Sequence, residues 1–366
     1  MSNITGNKGE WSEVYVLLRL LADGKLFAAD EQLNRIENMF FPIMRIIREE
    51  TRDKVYEYRT GAVVRIVLND EILVEIPSEI FDEEADKLLA EIKSQGGSGA
   101  FAIENTNAFI NKLYVNKLTA SSADKSDISV ELHDTNTGYE QIVGFSIKSK
   151  LGSPSTLLNA SGSTNFIFKV SNIKTSTIPE INAISTKNKI KDRINTIIDN
   201  SGHISFCKME SRVFQNNLYM IDSQMPEIVA QMLLGYFSGQ ASGCDELTKY
   251  ACEAIPILGG KTFIYPDNIK TSFFIHKVKE LLCAAALGMK PATPWDGTDE
   301  ATGGYIIVKQ DGDVVAYHIY NRDAFRGYLL KNTKFESASS SRHDYGSLYE
   351  DNDNIFIKLN LQIRFT

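Results

Sequence analysis

Asp127, Ser146 and Lys148 are spaced so that a β-hairpin would bring them together. The stretch Ser126–Asp134 alternates, with Ile128, Val130 and Leu132 on one face and Asp127, Ser129, Glu131 and His133 on the other. A second alternating run sets Val143, Phe145 and Ile147 against Gly144, Ser146, Lys148 and Lys150. Between them Asp134-Thr-Asn-Thr-Gly-Tyr139 is turn chemistry. If Asp134 pairs with Tyr139, counting down the ladder puts Asp127 across from Ser146 and diagonal to Lys148, within side-chain reach. A carboxylate and a lysine converging on the polar side of a sheet are the skeleton of a metal-dependent phosphodiesterase site.

Such chemistry needs a metal to polarise the phosphate and to lower the pKa of an attacking water, with lysine orienting or deprotonating that water. Magnesium takes oxygen ligands, often one or two carboxylates with waters and substrate phosphate. The usual pattern carries a second acid where this chain has Ser146. No Asp or Glu occurs from Gln141 through Pro179, so the second carboxylate must come from Glu131, Asp134, Glu140 or elsewhere. In Lys8-Gly-Glu10-Trp-Ser-Glu13 the two glutamates are neighbours on one side of a helix. A helical plot puts Glu10 near the middle of the core-facing stripe and Glu13 at its margin. Either one could ligate metal, or both could stabilise the helix N-terminus through its dipole; both stay open.

Other reactive groups carry less. His133, His203 and His276 are read as structural or solvent-exposed, and His318 has no identifiable ligand partner. Gly259-Gly-Lys-Thr262 lacks the first glycine of a phosphate-binding loop and is rejected as one. Cys207, Cys244, Cys252 and Cys283 show neither zinc nor disulfide-framework spacing, which points to free thiols and a cytoplasmic setting.

The chain has 366 residues, 43% hydrophobic and 23% charged, ordinary for a globular protein of one large or two ordinary domains. No apolar run is long enough to span a bilayer and the N-terminus has no signal-peptide core, so no membrane partner is expected. Net charge is −8, and the segment Asp70–Glu104, with ten acids against Lys87 and Lys93, carries an equal amount. From Gln141 to Arg193 the balance reverses, with Lys148, Lys150, Lys169, Lys174, Lys187, Lys189, Lys191 and Arg193 against Glu180 and Asp192. Coming directly after the carboxylate–lysine hairpin, that run reads as a phosphate-facing surface.

The elements that must hold these residues follow from periodicity. Helices are predicted over 9–22, 30–50 (kinked at Pro42), 81–92, 185–200, 225–237 and 272–287, with a short helical or extended piece over 108–114. Strands flank an Asn69-Asp70 turn between Tyr56 and Ile76, and a hairpin spans 305–319 around Gln310–Asp313. A serine-rich loop at 336–343 leads to a last strand within 355–365. Gln95–Gly99 is the clearest linker. The irregular mixture predicts a mixed α/β (α+β) architecture, divided as an N-terminal region 1–95 whose first helix contributes to the site, a core 96–226 that carries the hairpin, and a C-terminal region 227–366.

Four separated blocks resemble HpaII-type restriction endonucleases: Asn7-Lys-Gly-Glu-Trp-Ser-Glu13, Asp124-Lys-Ser-Asp-Ile128, Gly144 to Ala160, and the tail containing Asn332-Thr-Lys-Phe, Ser339-Ser-Ser-Arg-His343 and Ile357 to Arg364. The resemblance spans nearly the whole chain. It implies the PD-(D/E)xK nuclease class, with a central mixed sheet flanked by helices. It also implies Mg2+-dependent cleavage of both strands of double-stranded DNA at CCGG, leaving 5′-phosphate ends; the palindrome invites a homodimer without requiring one. The family pattern itself carries Ser146. On this reading Asp127, Glu10 or Glu13, and the carbonyl of Ile147 hold the metal, and Lys148 orients the water. Lys150, Lys169 and Lys174 contact the backbone. Arg342, beside the small-residue loop, is the candidate guanine reader, with Lys334 and Arg326 before it. The competing readings are a DNA-binding protein that has lost catalysis and a strand-nicking repair nuclease.

Overall fold

The computed structural model describes residues 4–97, 99–119, 126–135, 138–255, 267–318 and 321–366. Gly259–Thr262 and Asp124–Lys125 lie outside the described residues. The chain runs β1 (Thr5–Gly6), α1 (Lys8–Asp23), β2 (Lys25–Ala29), β3 (Arg35–Thr51), β4 (Lys54–Arg59), β5 (Val63–Leu68), β6 (Glu71–Pro77), α2 (Ser78–Ser94), β7 (Phe101–Ala102) and α3 (Glu104–Lys112). It continues with β8 (Ile128–His133), β9 (Glu140–Ser149), β10 (Thr156–Leu158), β11 (Asn165–Ser171), α4 (Ile178–Asn182), α5 (Lys189–Asp199), β12 (His203–Met209), α6 (Arg212–Ile221), α7 (Met225–Ser238), α8 (Cys244–Ala254) and α9 (Asp267–Leu287). The last elements are β13 (Gly304–Val308), β14 (Val314–His318), α10 (Arg322–Lys331), β15 (Thr333–Phe335), α11 (Ser340–His343), β16 (Leu348–Asp351), β17 (Asn354–Asn360) and β18 (Ile363–Phe365).

Two compact units result, Met1–Ser155 with Asp299–Tyr328, and Thr156–Thr298 with Leu329–Thr366. The contiguous division expected from sequence does not match them. The boundary at 226/227 cuts helix α7, and the hairpin of β13 and β14 returns from the C-terminal third to the first unit. Strand pairing between distant segments overrides order along the chain.

In the first unit nine strands form one mixed sheet, ordered β2-β14-β13-β9-β8-β3-β4-β5-β6. The pairs β13–β9 and β14–β2 are parallel, whereas the β8–β9 and β3–β8 pairs are antiparallel. Strand β2 also pairs with β3, so β2, β14, β13, β9, β8 and β3 close into a six-stranded ring. The central mixed sheet expected from the sequence is therefore present and curls shut on itself, leaving β4–β6 as an extension.

The expected helix over 30–50 is also corrected, because Arg35–Thr51 is a single strand. Buried positions run 41, 43 and then 46, 48, 50. The pairing with β8 shifts register between Ile43 and Arg45, and this bulge changes which parity faces inward. The resulting spacing from Ile43 to Ile46 imitates a helical one. Pro42 sits where β3 parts from β2, a place that a residue without an N–H tolerates.

Helix α1 packs its apolar face into the core through Trp11, Val14, Leu17, Leu18 and Leu21. Each such side chain contributes on the order of 1.5–3 kcal/mol. Helix α2 packs beside it through Phe81, Ala85, Leu88 and Ile92, which leaves its acids on the outer face. In the second unit β11 is central, with β12 and β17 antiparallel on either side and β16 beyond β17. A small sheet, β10-β18-β15, completes it with helices α4 to α9. Among the described residues no helix is long and apolar enough to cross a membrane.

Candidate active site

The β8–β9 ladder has the register expected from its turn. His133 faces Glu140 and Ile128 faces Phe145, while the Asp134 N–H donates to the Tyr139 carbonyl at 2.8 Å. One step beyond β8, Asp127 lies opposite Ser146, and its N–H donates to the Phe145 carbonyl at 2.8 Å. The chain can approach so closely here because residue 144 is glycine. A Cβ at Gly144 would stand 2.5 Å from the Ser126 side chain.

The polar groups form a relay. Lys148 Nζ donates to Ser146 Oγ at 2.9 Å, and Ser146 Oγ donates to Asp127 Oδ2 at 3.0 Å. The same Asp127 oxygen accepts the Ile147 N–H at 2.6 Å. A strand residue points its N–H and C=O to the same edge, so the Ile147 carbonyl lies on the edge that Asp127 occupies. On the opposite edge Tyr305 of β13 pairs with Ser146, and its ring lies 5.2 Å from Lys148 Nζ. Burial lowers the Lys148 pKa, and the charges of Asp127 and Glu13 oppose that fall.

Helix α1 brings a carboxylate toward these groups, that of Glu13, on which the charges of Asp127 and Lys148 act. Three contacts seat the helix around it. Ser12 Oγ bonds Ser149 Oγ at the end of β9 at 2.7 Å; Trp11 Nε1 donates to the Phe101 carbonyl at 3.0 Å; Tyr15 Oη donates to the Gly312 carbonyl at 2.6 Å. Burial pushes the Glu13 carboxyl up to about 8, and the Asp127 charge adds to the rise. Its Oε2 is buried and has no hydrogen-bond partner among the described residues.

Glu10 takes the other role that the sequence left open. Asn7 caps α1 by accepting the N–H groups of Gly9 and Glu10 at 2.8 and 3.1 Å, and Glu10 Oε2 accepts the Asn7 N–H at 2.7 Å. This reciprocal cap corrects the placement of Glu10 on the core-facing stripe. The pattern Asn7-x-x-Glu10 is itself the sequence signature of such a cap. The acids of the hairpin are engaged elsewhere. Glu131 pairs with Arg45 at 2.7 Å, and Glu140 lies by His133 at the far end of the ladder.

Arg48 was not singled out from sequence. It is 5% exposed and pairs with Glu50, 1% exposed, at 2.6 Å, and its charge opposes the upward shift of Glu13. Arg48 and Glu50 share one face of β3, a signal that is legible only if the segment is read as a strand. Glu13, Ile147 and Lys148 border a cavity of about 300 Å³ with Lys8, Ser149 and Ser153. Among the described residues no three His, Cys, Asp or Glu side chains are preassembled for a metal. The donors here are oxygens: the carboxylates of Asp127 and Glu13, whose charges act on each other, and the Ile147 carbonyl on the edge of β9 that Asp127 occupies. This set suits a hard divalent cation, which keeps waters and substrate oxygens among its ligands.

The remaining candidates divide between the units. Lys150 and Arg326 belong to the first. Lys150 lies 5.9 Å from the Tyr328 ring and its pKa is lowered by burial; Arg326 pairs with Asp323 at 3.2 Å. In the second unit Lys169 and Lys174 are exposed, Lys334 lies half-buried in β15, and Arg342 is exposed on α11, whose first turn is capped by Ser339. Of the histidines, His203 and His276 are exposed and His318 is buried against the rings of Phe41 and Phe145.

The HpaII restriction endonuclease family model matches residues 7–365. A type II restriction enzyme HpaII from Haemophilus parainfluenzae is 44% identical over 366 residues, covering 99% of this chain and 98% of that protein. No solved structure matches. With the site carried on α1, β8 and β9 inside the matched span, the chain belongs to the HpaII restriction endonuclease family.

Proposed function

We propose that this protein is a type II restriction endonuclease that uses Mg2+ to hydrolyse both strands of DNA at CCGG, leaving 5′-phosphate ends, and that β8 and β9 with α1 are its PD-(D/E)xK core. The observation that supports this reading most directly is the Lys148–Ser146–Asp127 relay facing the unsatisfied carboxylate of Glu13. Ser146 stands where a second acid is usual, and a carboxylate so near Asp127 would repel it. Glu13 brings that charge from the helix instead.

Asp127, Glu13 and the Ile147 carbonyl would hold the metal, which when bound neutralises phosphate charge and acidifies a ligand water. Asp127 is fixed for its role by two donors, so its geometry is set before substrate arrives. Lys148, held by Ser146 and lowered in pKa by burial, orients the attacking water and accepts its proton when neutral. Glu13, half-buried with its carboxyl pushed up to about 8, would have to give its proton to solvent to serve as a ligand. Because CCGG is palindromic, two copies related by two-fold symmetry would place one site on each strand.

Incubation with unmethylated plasmid and magnesium, followed by sequencing of the ends, tests the reading. Double-strand breaks within CCGG bearing 5′-phosphates are expected. Intact plasmid would favour a protein that only binds DNA, and single-strand nicks a repair nuclease. Arg342 is proposed as a guanine reader. Arg342→Ala should cost about 1–3 kcal/mol on a CCGG duplex and little on other DNA in a titration of both. Unchanged affinity for CCGG would remove that role.

A further inference from the structure

We propose that the second unit carries its own cleft for the sugar–phosphate backbone of duplex DNA, formed by Lys187, Lys189 and Lys191 together with Tyr236, Ser337 and Ser340. It rests on DNA being the substrate and adds a binding surface contained wholly within that unit. The cleft has a volume of about 430 Å³.

Its charge is unbalanced. None of the three lysines has an acidic partner among the described residues, whereas Lys249, Lys277 and Lys358 of the same unit are each held by Asp or Glu at 2.7–3.0 Å. The acid on the cleft wall, Glu336, is engaged by Arg364 at 2.8 Å. Asp192, next in the chain, accepts a hydrogen bond from Thr186. Three free ammonium groups beside two serine hydroxyls and a phenol match a run of phosphodiesters better than a single small anion.

The cleft is built and braced. Lys191 passes so close to Gly239 that a Cβ there would lie 2.2 Å from its Nζ, and Gly239 has φ +84°, which also favours glycine. Arg193, buried on α5, donates to the carbonyls of Gly346, Asn182 and Ile184 at 2.6, 2.6 and 2.9 Å, and to Ser347 Oγ at 3.0 Å. Tyr236 Oη and Ser337 Oγ are hydrogen-bonded at 3.1 Å, and Tyr345 Oη donates to the Ala338 carbonyl at 2.7 Å. The serine segment that lines the cleft continues directly into α11 and Arg342, so backbone contacts here would hold that arginine's segment on DNA.

The test uses the full-length protein, the variant Lys187→Gln/Lys189→Gln/Lys191→Gln and a control, Lys249→Gln. Affinity for short duplexes with and without CCGG is measured across a salt series in a chelator, after thermal melting shows that the variants fold like the parent. The triple variant should bind both duplexes more weakly by similar factors. Its plot of log affinity against log salt should be shallower by about 0.9 per lost phosphate contact, about 2–3 in all. The control should keep the parent slope. A triple variant with the parent's slope overturns the cleft, as does a loss confined to the CCGG duplex, which would make these lysines base readers. A parent that neither binds nor cuts either DNA overturns the nuclease reading and the cleft with it.

Discussion

Asp127→Ala and Lys148→Ala are each expected to abolish plasmid cleavage while CCGG duplex still binds. A positioned acid–base group contributes about 10²–10⁴-fold, so Lys148→Ala should fall by about that factor, and Asp127→Ala, which removes a metal donor as well, by at least as much. Asp127 also satisfies the Ile147 N–H, and its truncation strands that donor at a cost of about 1–3 kcal/mol. Asp127→Asn keeps an acceptor at the same place and separates the two effects. It should melt close to the parent and still fail to cut. Single-turnover cleavage of labelled duplex, with melting curves alongside, reads both. Cutting by Asp127→Asn or Lys148→Ala at the parental rate would end the assignment.

Glu13→Gln should also stop cleavage, yet stabilise the metal-free protein at alkaline pH. In the folded state Glu13 keeps its proton up to about 8, against 4.5 for the ordinary carboxyl. Between those values the folded state binds more protons than the unfolded one. Stability therefore falls as pH rises through that window, and the full penalty is present above it. At about 1.4 kcal/mol per pH unit the ceiling is about 5 kcal/mol. Partial exposure of the side chain beside a cavity brings the expected gain from Gln to about 2 kcal/mol. Denaturant midpoints should separate at pH 9 and coincide at pH 4; coincidence at both values would refute a buried, proton-bearing Glu13. Glu10→Ala is the contrasting case. It should lose about 1 kcal/mol of helix cap and retain cleavage.

The hairpin that carries Asp127 and Lys148 was legible because alternation and turn chemistry together set its register, and register sets which side chains meet. Helix α1 was legible from its apolar stripe, but choosing between Glu10 and Glu13 needed the cap at Asn7 to be weighed as well as the helical plot. Strand β3 was misread because one bulged residue near Arg45 turned a period of two into an apparent helical spacing. The misreading also hid Arg48 and Glu50. The closed ring depends on β14 meeting β2 and β13 meeting β9, pairings between segments far apart in the chain. No local pattern announces such partners. For the same reason the division into two interleaved units could not be drawn as cuts along a line.

The partner strand of β9 has a consequence for how the molecule is made. Asp127, Ser146 and Lys148 leave the ribosome well before Gly304–Val308, the strand that lies along the other edge of β9. At 5–20 residues per second, roughly 10–30 s separate the two. During that interval, while Thr156–Thr298 is being made, β9 lacks its neighbour and Lys148 lacks the Tyr305 ring beside it. A nascent or prematurely terminated chain thus carries the proposed catalytic residues on an unfinished sheet. Synthesis order alone postpones completion of the sheet around the proposed site until β13 has been made.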